Sequence, residues 1–306
     1  MIINVGARDA IYHGLAIQGD AFFEDWDDQV VFEGANHEFH NYAMDLARNG
    51  FYRRACQVLE AGIMLYPRDV DLIADYLESG IKCQQEEKCN GYYKQLSSIP
   101  NRRQTWRSYR FMVSYLVWKM GECDTDEEIM SLRKEALDIV KRAKERFPKE
   151  ELHYLSEYDI YEASGDKEIG LEKLETFLSD ENRKAKIAPR CHLKFLDEML
   201  EAGEYDKVIK FAFNGVAEAA QEQEGVDTGY FFYVLALAMD AKLIKADGAR
   251  IEKNVADEIL TYYQTAYDAL EGNKRAYFEL IRKRFRIIAN LYESDRKLND
   301  WRRNRD

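Results

Sequence analysis

Residues 39–67 read FHNYAMDLARNGFYRRACQVLEAGIMLYP, and their spacing decides the fold. Phe39, Tyr42, Ala43 and Leu46 recur three and four residues apart, so they share one face of a helix. Gly50 ends that helix. Tyr52, Ala55, Leu59 and Gly62 then mark one face of a second helix, and Pro67 closes it. The small members matter physically. Ala43, Ala55 and Gly62 sit where two antiparallel helices approach, and a larger side chain there would force them apart.

Working outward, the phase returns. Ile73, Tyr76 and Leu77 precede Cys89, Tyr93, Leu96 and Pro100, which repeat the second-helix pattern 33 or 34 residues on. Ala136, Val140, Ala143 and Pro148 fit again, displaced by an insertion around 122–129 (ECDTDEEI). Tyr154, Tyr158, Tyr161 and Gly165 lead into Gly170, Leu174 and Phe177. Phe195, Leu196 and Met199 lead through Gly203 to Tyr205, Val208, Ala212 and Gly215. A looser pair follows, with Phe232, Leu235, Ala236 and Met239, then Ala256, Leu260 and Tyr263. Ala and Leu at helical spacing occur in any buried helix, so the constant phase carries the reading rather than any one match.

This order of large and small residues, with Gly between the helices and Pro after them, resembles the tetratricopeptide repeat. The family's Trp is absent from the first helices, and the third and sixth units carry insertions. The resemblance implies an all-α, right-handed α-solenoid of about six helix pairs over residues 37–270. An acidic, aromatic segment (1–36) precedes it, and a basic capping helix and tail (271–306) follow.

Composition agrees with helices. Only four prolines punctuate 306 residues, while 20 Tyr and 15 Phe can build a core despite 33% charged residues. The net charge of −12 opposes general affinity for nucleic acid or anionic membranes. Residues 271–306 are the exception, with eleven Lys/Arg against six Asp/Glu. No run approaches a membrane span and no secretory leader is evident, so the cytoplasm is the expected compartment. The five cysteines (Cys56, Cys83, Cys89, Cys123, Cys191) are odd in number and lack C-x-x-C spacing. They read as reduced, small apolar residues.

The resemblance also implies an inner wall made by the first helix of each pair. Its side chains would be His37, His40, Met44 and Arg48 in the first unit, and Asp71, Ala74, Glu78 and Lys82 in the second. The fourth unit would offer Leu152, Leu155, Asp159 and Glu162, and the fifth Arg190, Leu193, Asp197 and Glu201. The sixth would offer Tyr230, Tyr233, Leu237 and Asp240. Apolar surface interrupted by acids suits a protein or peptide with apolar anchors and basic residues. The plainer reading is a solvated face. Family members that grip C-terminal carboxylates use Lys and Asn where this chain has His40 and Met44, so that specificity does not transfer.

Catalysis finds little support. His37 and His40 in HEFH are three apart, whereas a zinc-binding H-E-x-x-H pair is four apart on one helix face. Nucleophile-elbow, P-loop and dinucleotide motifs are absent. The chain is therefore expected to be a non-catalytic interaction scaffold or adaptor without cofactor or metal. One segment stands apart: NRRQTWRSYR at 101–110 mixes Arg102, Arg103, Arg107 and Arg110 with Trp106 and Tyr109. Three readings stay open: aromatics in the core with arginines neutralising nearby acids, a protein-interface hot spot, or a nucleic-acid contact shared with the basic 274–305 segment. A further alternative is a peptide-sensing regulator, resembling the peptide-pheromone receptors of Gram-positive bacteria, although 1–36 is too short for their usual N-terminal domain.

Residues 15–33 mix Phe22, Phe23, Trp26, Val30, Val31 and Phe32 with six acids. That blend opposes both free exposure and ordinary burial. It is expected to cap the first repeat or to dock on a partner.

Overall fold

The computed structural model describes residues 2–4, 31–220, 228–245 and 253–269. Twelve α-helices occupy them. The chain divides into two compact units, Met1–Gly170 and Leu171–Asp306.

In the first unit the helices come in pairs: α1 (Asn36–Arg48) with α2 (Tyr52–Leu65), and α3 (Val70–Lys82) with α4 (Glu86–Ser98). The third pair is α5 (Trp106–Gly121) with α6 (Asp126–Arg146), and α7 (Leu152–Ala163) follows. The boundaries have local causes. Gly50 adopts φ 84°, the left-handed conformation that ends α1 without a Cβ clash. Asp69 caps α3 by accepting the N–H groups of Asp71 and Leu72, each at 3.1 Å. Thr105 caps α5 through the N–H of Ser108 at 3.2 Å.

The first helices stack in sequence, α1 on α3, α3 on α5 and α5 on α7. Phe39, Tyr42, Ala43 and Leu46 are buried against Ala55 and Leu59, as their spacing predicts. Gly62 shows why the small positions are small: a Cβ there would lie 3.0 Å from Cβ of Phe39. Ile73, Tyr76, Leu77, Cys89 and Leu96 repeat the packing one pair later, all at 0% exposure.

Two features depart from the sequence reading. Only residues 122–125 of the apparent insertion are loop. The rest opens α6, which runs for 21 residues from a Thr125 cap and an acidic first turn suited to the helix dipole. Secondly, a short parallel strand pair, β1 (Ile2–Asn4) and β2 (Val31–Glu33), accompanies the helices in the register Ile2↔Val31, Ile3↔Phe32, Asn4↔Glu33. Three residues are too few to carry a strand period. Phe32 is buried in the same core as the first pairs, and the Tyr66 hydroxyl donates to the carbonyl of Gly34 at 3.0 Å. Residues 5–30, with Phe22, Phe23 and Trp26, lie outside the described residues, as does the basic segment 271–306.

The division between units falls within α8 (Lys167–Ser179). The second unit pairs α9 (Pro189–Ala202) with α10 (Tyr205–Ala219), and α11 (Thr228–Lys245) with α12 (Lys253–Ala269). Gly203, at φ 75°, ends α9 as Gly50 ends α1. Phe195, Leu196, Val208 and Ala212 form its core. Among the described residues no helix is long and apolar enough to cross a membrane.

Candidate functional site

Several polar side chains named from the sequence lie beside the packed stripes of α1, α3 and α5, whereas Ala74, expected among them, is buried in the core because it faces the packed side of α3. On α1, His37 and Arg48 are exposed while His40 and Met44 are half-buried. His40 reaches across to α3, where the fully buried Asp75 accepts both from its Nδ1 and from Nη2 of Arg107 on α5. One carboxylate thus joins three successive first helices. Arg107 also places Nη2 3.6 Å from Sδ of Met44, and its guanidinium lies over the rings of Trp106 (5.7 Å) and Phe111 (5.5 Å). Beside this row the Thr105 hydroxyl donates to Asp71 at 2.7 Å. The bond to Asp75 holds the His40 imidazole above its ordinary value of 6.5, outweighing the burial and the Arg107 charge that oppose it.

One turn further along, α3, α5 and α7 enclose a cavity of about 390 Å³. Phe111, Val117 and Trp118 supply an apolar floor, and Glu78, Lys82, Arg110 and Asp159 supply charge. Oε2 of Glu78 is buried and has no hydrogen-bond partner among the described residues. Burial pushes the Glu78 carboxyl up, against the pull of the Arg110 guanidinium. Arg110 lies over Phe111 at 5.4 Å and makes no ion pair among the described residues. Leu155 is half-buried on α7 and Asp159 is exposed.

The arginine–aromatic segment therefore divides. Arg102 and Arg103 are exposed on a single 3-10 turn (Asn101–Arg103), and the Arg102 carbonyl accepts from Nη2 of Arg146 at 2.6 Å. Tyr109 is core at 1% exposure, Trp106 is half-buried, and Arg107 and Arg110 point along the unpacked face. What reads as an isolated patch is the start of α5, the first helix of the third pair.

In the second unit Asp197 on α9 accepts from the Tyr230 hydroxyl on α11 at 2.8 Å. Burial raises the Asp197 carboxyl despite that bond. Arg190 and Leu193 are half-buried beside it. The Tyr233 ring lies 6.1 Å from that of Tyr230 but is largely covered, at 7% exposure. On α11 Leu235 and Ala236 are buried as their spacing predicts, together with Phe231, Val234 and Ala238, while Phe232 and Met239 are only partly buried. Asp240 is buried as well, accepting from the Tyr263 hydroxyl at 3.2 Å.

Asp75 and the Phe111, Val117 and Trp118 floor escape the sequence reading. The only signal is an acid inside the apolar run VDLIADYLESGIK, which demands a cation from another helix. Among the described residues no three His, Cys, Asp or Glu side chains gather as a metal set.

No protein-family model matches the chain. No curated protein matches it either. Among solved structures, it is similar to a thermophilic tetratricopeptide repeat protein of Thermus thermophilus, at 14% identity and TM-score 0.45, over 83% of this chain and 99% of that one. A tetratricopeptide repeat protein of Parabacteroides merdae aligns at 11% identity and TM-score 0.43, over 89% of this chain and 95% of that one. By its own repeat phase, helix pairing and small-residue contacts, the chain has a tetratricopeptide-like all-α fold.

Proposed function

We propose that the chain is a non-catalytic interaction scaffold whose unpacked first-helix face binds a protein or peptide. The partner seats an apolar side chain on Phe111, Val117 and Trp118 and brings a cationic group to Glu78. The carrying observation is Oε2 of Glu78, a buried carboxylate oxygen without a donor, at the edge of a cavity with an aromatic floor. An unsatisfied buried acceptor is costly, and a Lys or Arg side chain from a partner relieves that cost only in the complex. The chain's net charge of −12 favours a basic partner at longer range. His40, Met44 and Asp159 extend the candidate surface in the first unit, and Arg190, Leu193, Asp197 and Tyr230 are a separate candidate surface in the second.

The dispersal of the arginines disfavours a nucleic-acid strip along 101–110, because Arg107 is already committed to Asp75. Two fluorescent peptide pools of about twelve residues provide the test, one with Lys or Arg beside Leu or Phe and one with Glu in place of the cation. Wild type binds the basic pool, and Glu78→Leu and Trp118→Ala weaken it. Equal binding of both pools, or unchanged binding by both variants, rejects the proposal.

A further inference from the structure

Away from that face, two cysteines far apart in sequence meet. Cys56 lies inside α2 at 1% exposure, and Cys83 caps the end of α3. Their sulfurs are 3.6 Å apart. The two are unequal. Cys83 is partly exposed where α3 ends, and its thiol also lies 3.3 Å from the Ser79 carbonyl. Cys56 is sealed behind it.

We infer that Cys83 and Cys56 are a peroxide-reactive thiol pair, Cys83 the attacking sulfur and Cys56 the resolving one, which closes to a disulfide between α2 and the end of α3. In the first step the Cys83 thiolate attacks the terminal oxygen of a hydroperoxide. An S–O bond forms, the O–O bond breaks, and the leaving alkoxide or hydroxide takes up a proton. In the second step the Cys56 sulfur attacks the Cys83 sulfenic acid. The S–S bond forms, the S–O bond breaks, and hydroxide leaves as water with the Cys56 proton. The two thiols supply the two electrons that reduce the peroxide.

The surroundings assign these roles. The S–H of Cys56 can donate to the Cys83 sulfur, which brings the Cys83 thiol down to about 7 against the opposing effect of burial, with Arg53 assisting. The same contact, together with burial, pushes Cys56 up. Cys89, whose sulfur packs on Gly80, is pushed up to about 12 by burial and does not compete. A disulfide needs the sulfurs about 1.5 Å closer than the 3.6 Å that separates them here.

The test uses the full chain, reduced, desalted and exposed to hydrogen peroxide, then alkylated, digested and mapped by mass spectrometry. The expected product is a Cys56–Cys83 cross-linked peptide, with Cys89, Cys123 and Cys191 still alkylatable. Cys56→Ser should leave Cys83 as a sulfenic acid trapped by dimedone, and Cys83→Ser should give neither product. Native wild type supplies a check that needs no variant. At neutral pH Cys83 should alkylate faster than a thiol of ordinary acidity and equal exposure, since its thiol is held below the usual range. Oxidation mapping first to Cys123, or Cys83 alkylating no faster than an ordinary thiol, overturns the inference.

Discussion

Asp75 and Arg107, 32 residues apart, form an ion pair between α3 and α5 in which the Asp75 side chain is wholly buried and Arg107 is 22% exposed. With His40 on the other carboxylate oxygen, this pair ties the first three helix pairs together along the face where a partner would lie. Its worth is best seen by breaking it.

Arg107→Met removes the principal cation from a buried carboxylate. Losing one partner of a buried pair commonly costs about 3–5 kcal/mol, and the partial exposure of Arg107 reduces this to about 2–3 kcal/mol. Adding Asp75→Asn should recover part of the loss, since the uncompensated charge goes with it. Urea unfolding of the three variants measures both effects. A single variant within about 0.5 kcal/mol of wild type would show that the pair is not formed in solution.

The His40 contact gives a pH dependence of definite sign. Its folded-state value lies above the unfolded 6.5, so the folded protein holds that proton more tightly. The stabilisation is fully present below the unfolded value and is lost as pH rises through the folded one. The stability gap between wild type and His40→Gln should accordingly be widest in mild acid and narrow towards alkaline pH. Melting temperatures of both proteins across that range provide the check, and a gap that is flat or grows with pH contradicts it.

Two glycines inside helices should respond to alanine with opposite signs. A Cβ on Gly215 in α10 would sit 2.2 Å from Cε1 of Phe231, whose ring is fully buried, so Gly215→Ala should cost about 1–3 kcal/mol. Gly91 in α4 is exposed and a Cβ there meets nothing within 4 Å. Gly91→Ala should stabilise by about 0.5–1 kcal/mol through helix propensity alone. Chemical denaturation reads both, and a neutral Gly215→Ala would mean that α10 and α11 do not pack as described.

Phe32 tests the role of the N-terminal segment. It is 7% exposed in the core of the first pairs, and Phe32→Ala should destabilise by about 3 kcal/mol, as for other buried aromatics. Deleting residues 1–33 should also lower the melting temperature and expose surface that binds a hydrophobic dye. A deletion that melts unchanged but no longer binds the basic peptide pool would identify a docking arm instead of a cap.

Sequence alone determined the helix pairs. Phe39, Tyr42, Ala43, Leu46, Ala55 and Gly62 announce their packing because helix period and side-chain size are local properties, and repetition along the chain made them legible. Where the period weakens, spacing says less: α11 is buried around most of its circumference, so Phe231 and Phe232 cannot be ranked by spacing, and Tyr233 is largely covered. The same limit applies to Trp106–Gly121, a first helix whose arginine-rich first turns obscure its apolar phase. The repeat phase puts His40, Met44 and Glu78 beside the packed stripe, but Ala74, expected there too, is in the core at 0% exposure, and the partners of these side chains were not legible. That Asp75 joins His40 to Arg107, that Glu78 meets the Phe111, Val117 and Trp118 floor, and that Cys56 meets Cys83 across 27 residues were decided by the tertiary structure. Each depends on how far neighbouring helices are rotated and offset when they stack, and that geometry is set by side-chain interlock between helices, which no single helix's sequence contains.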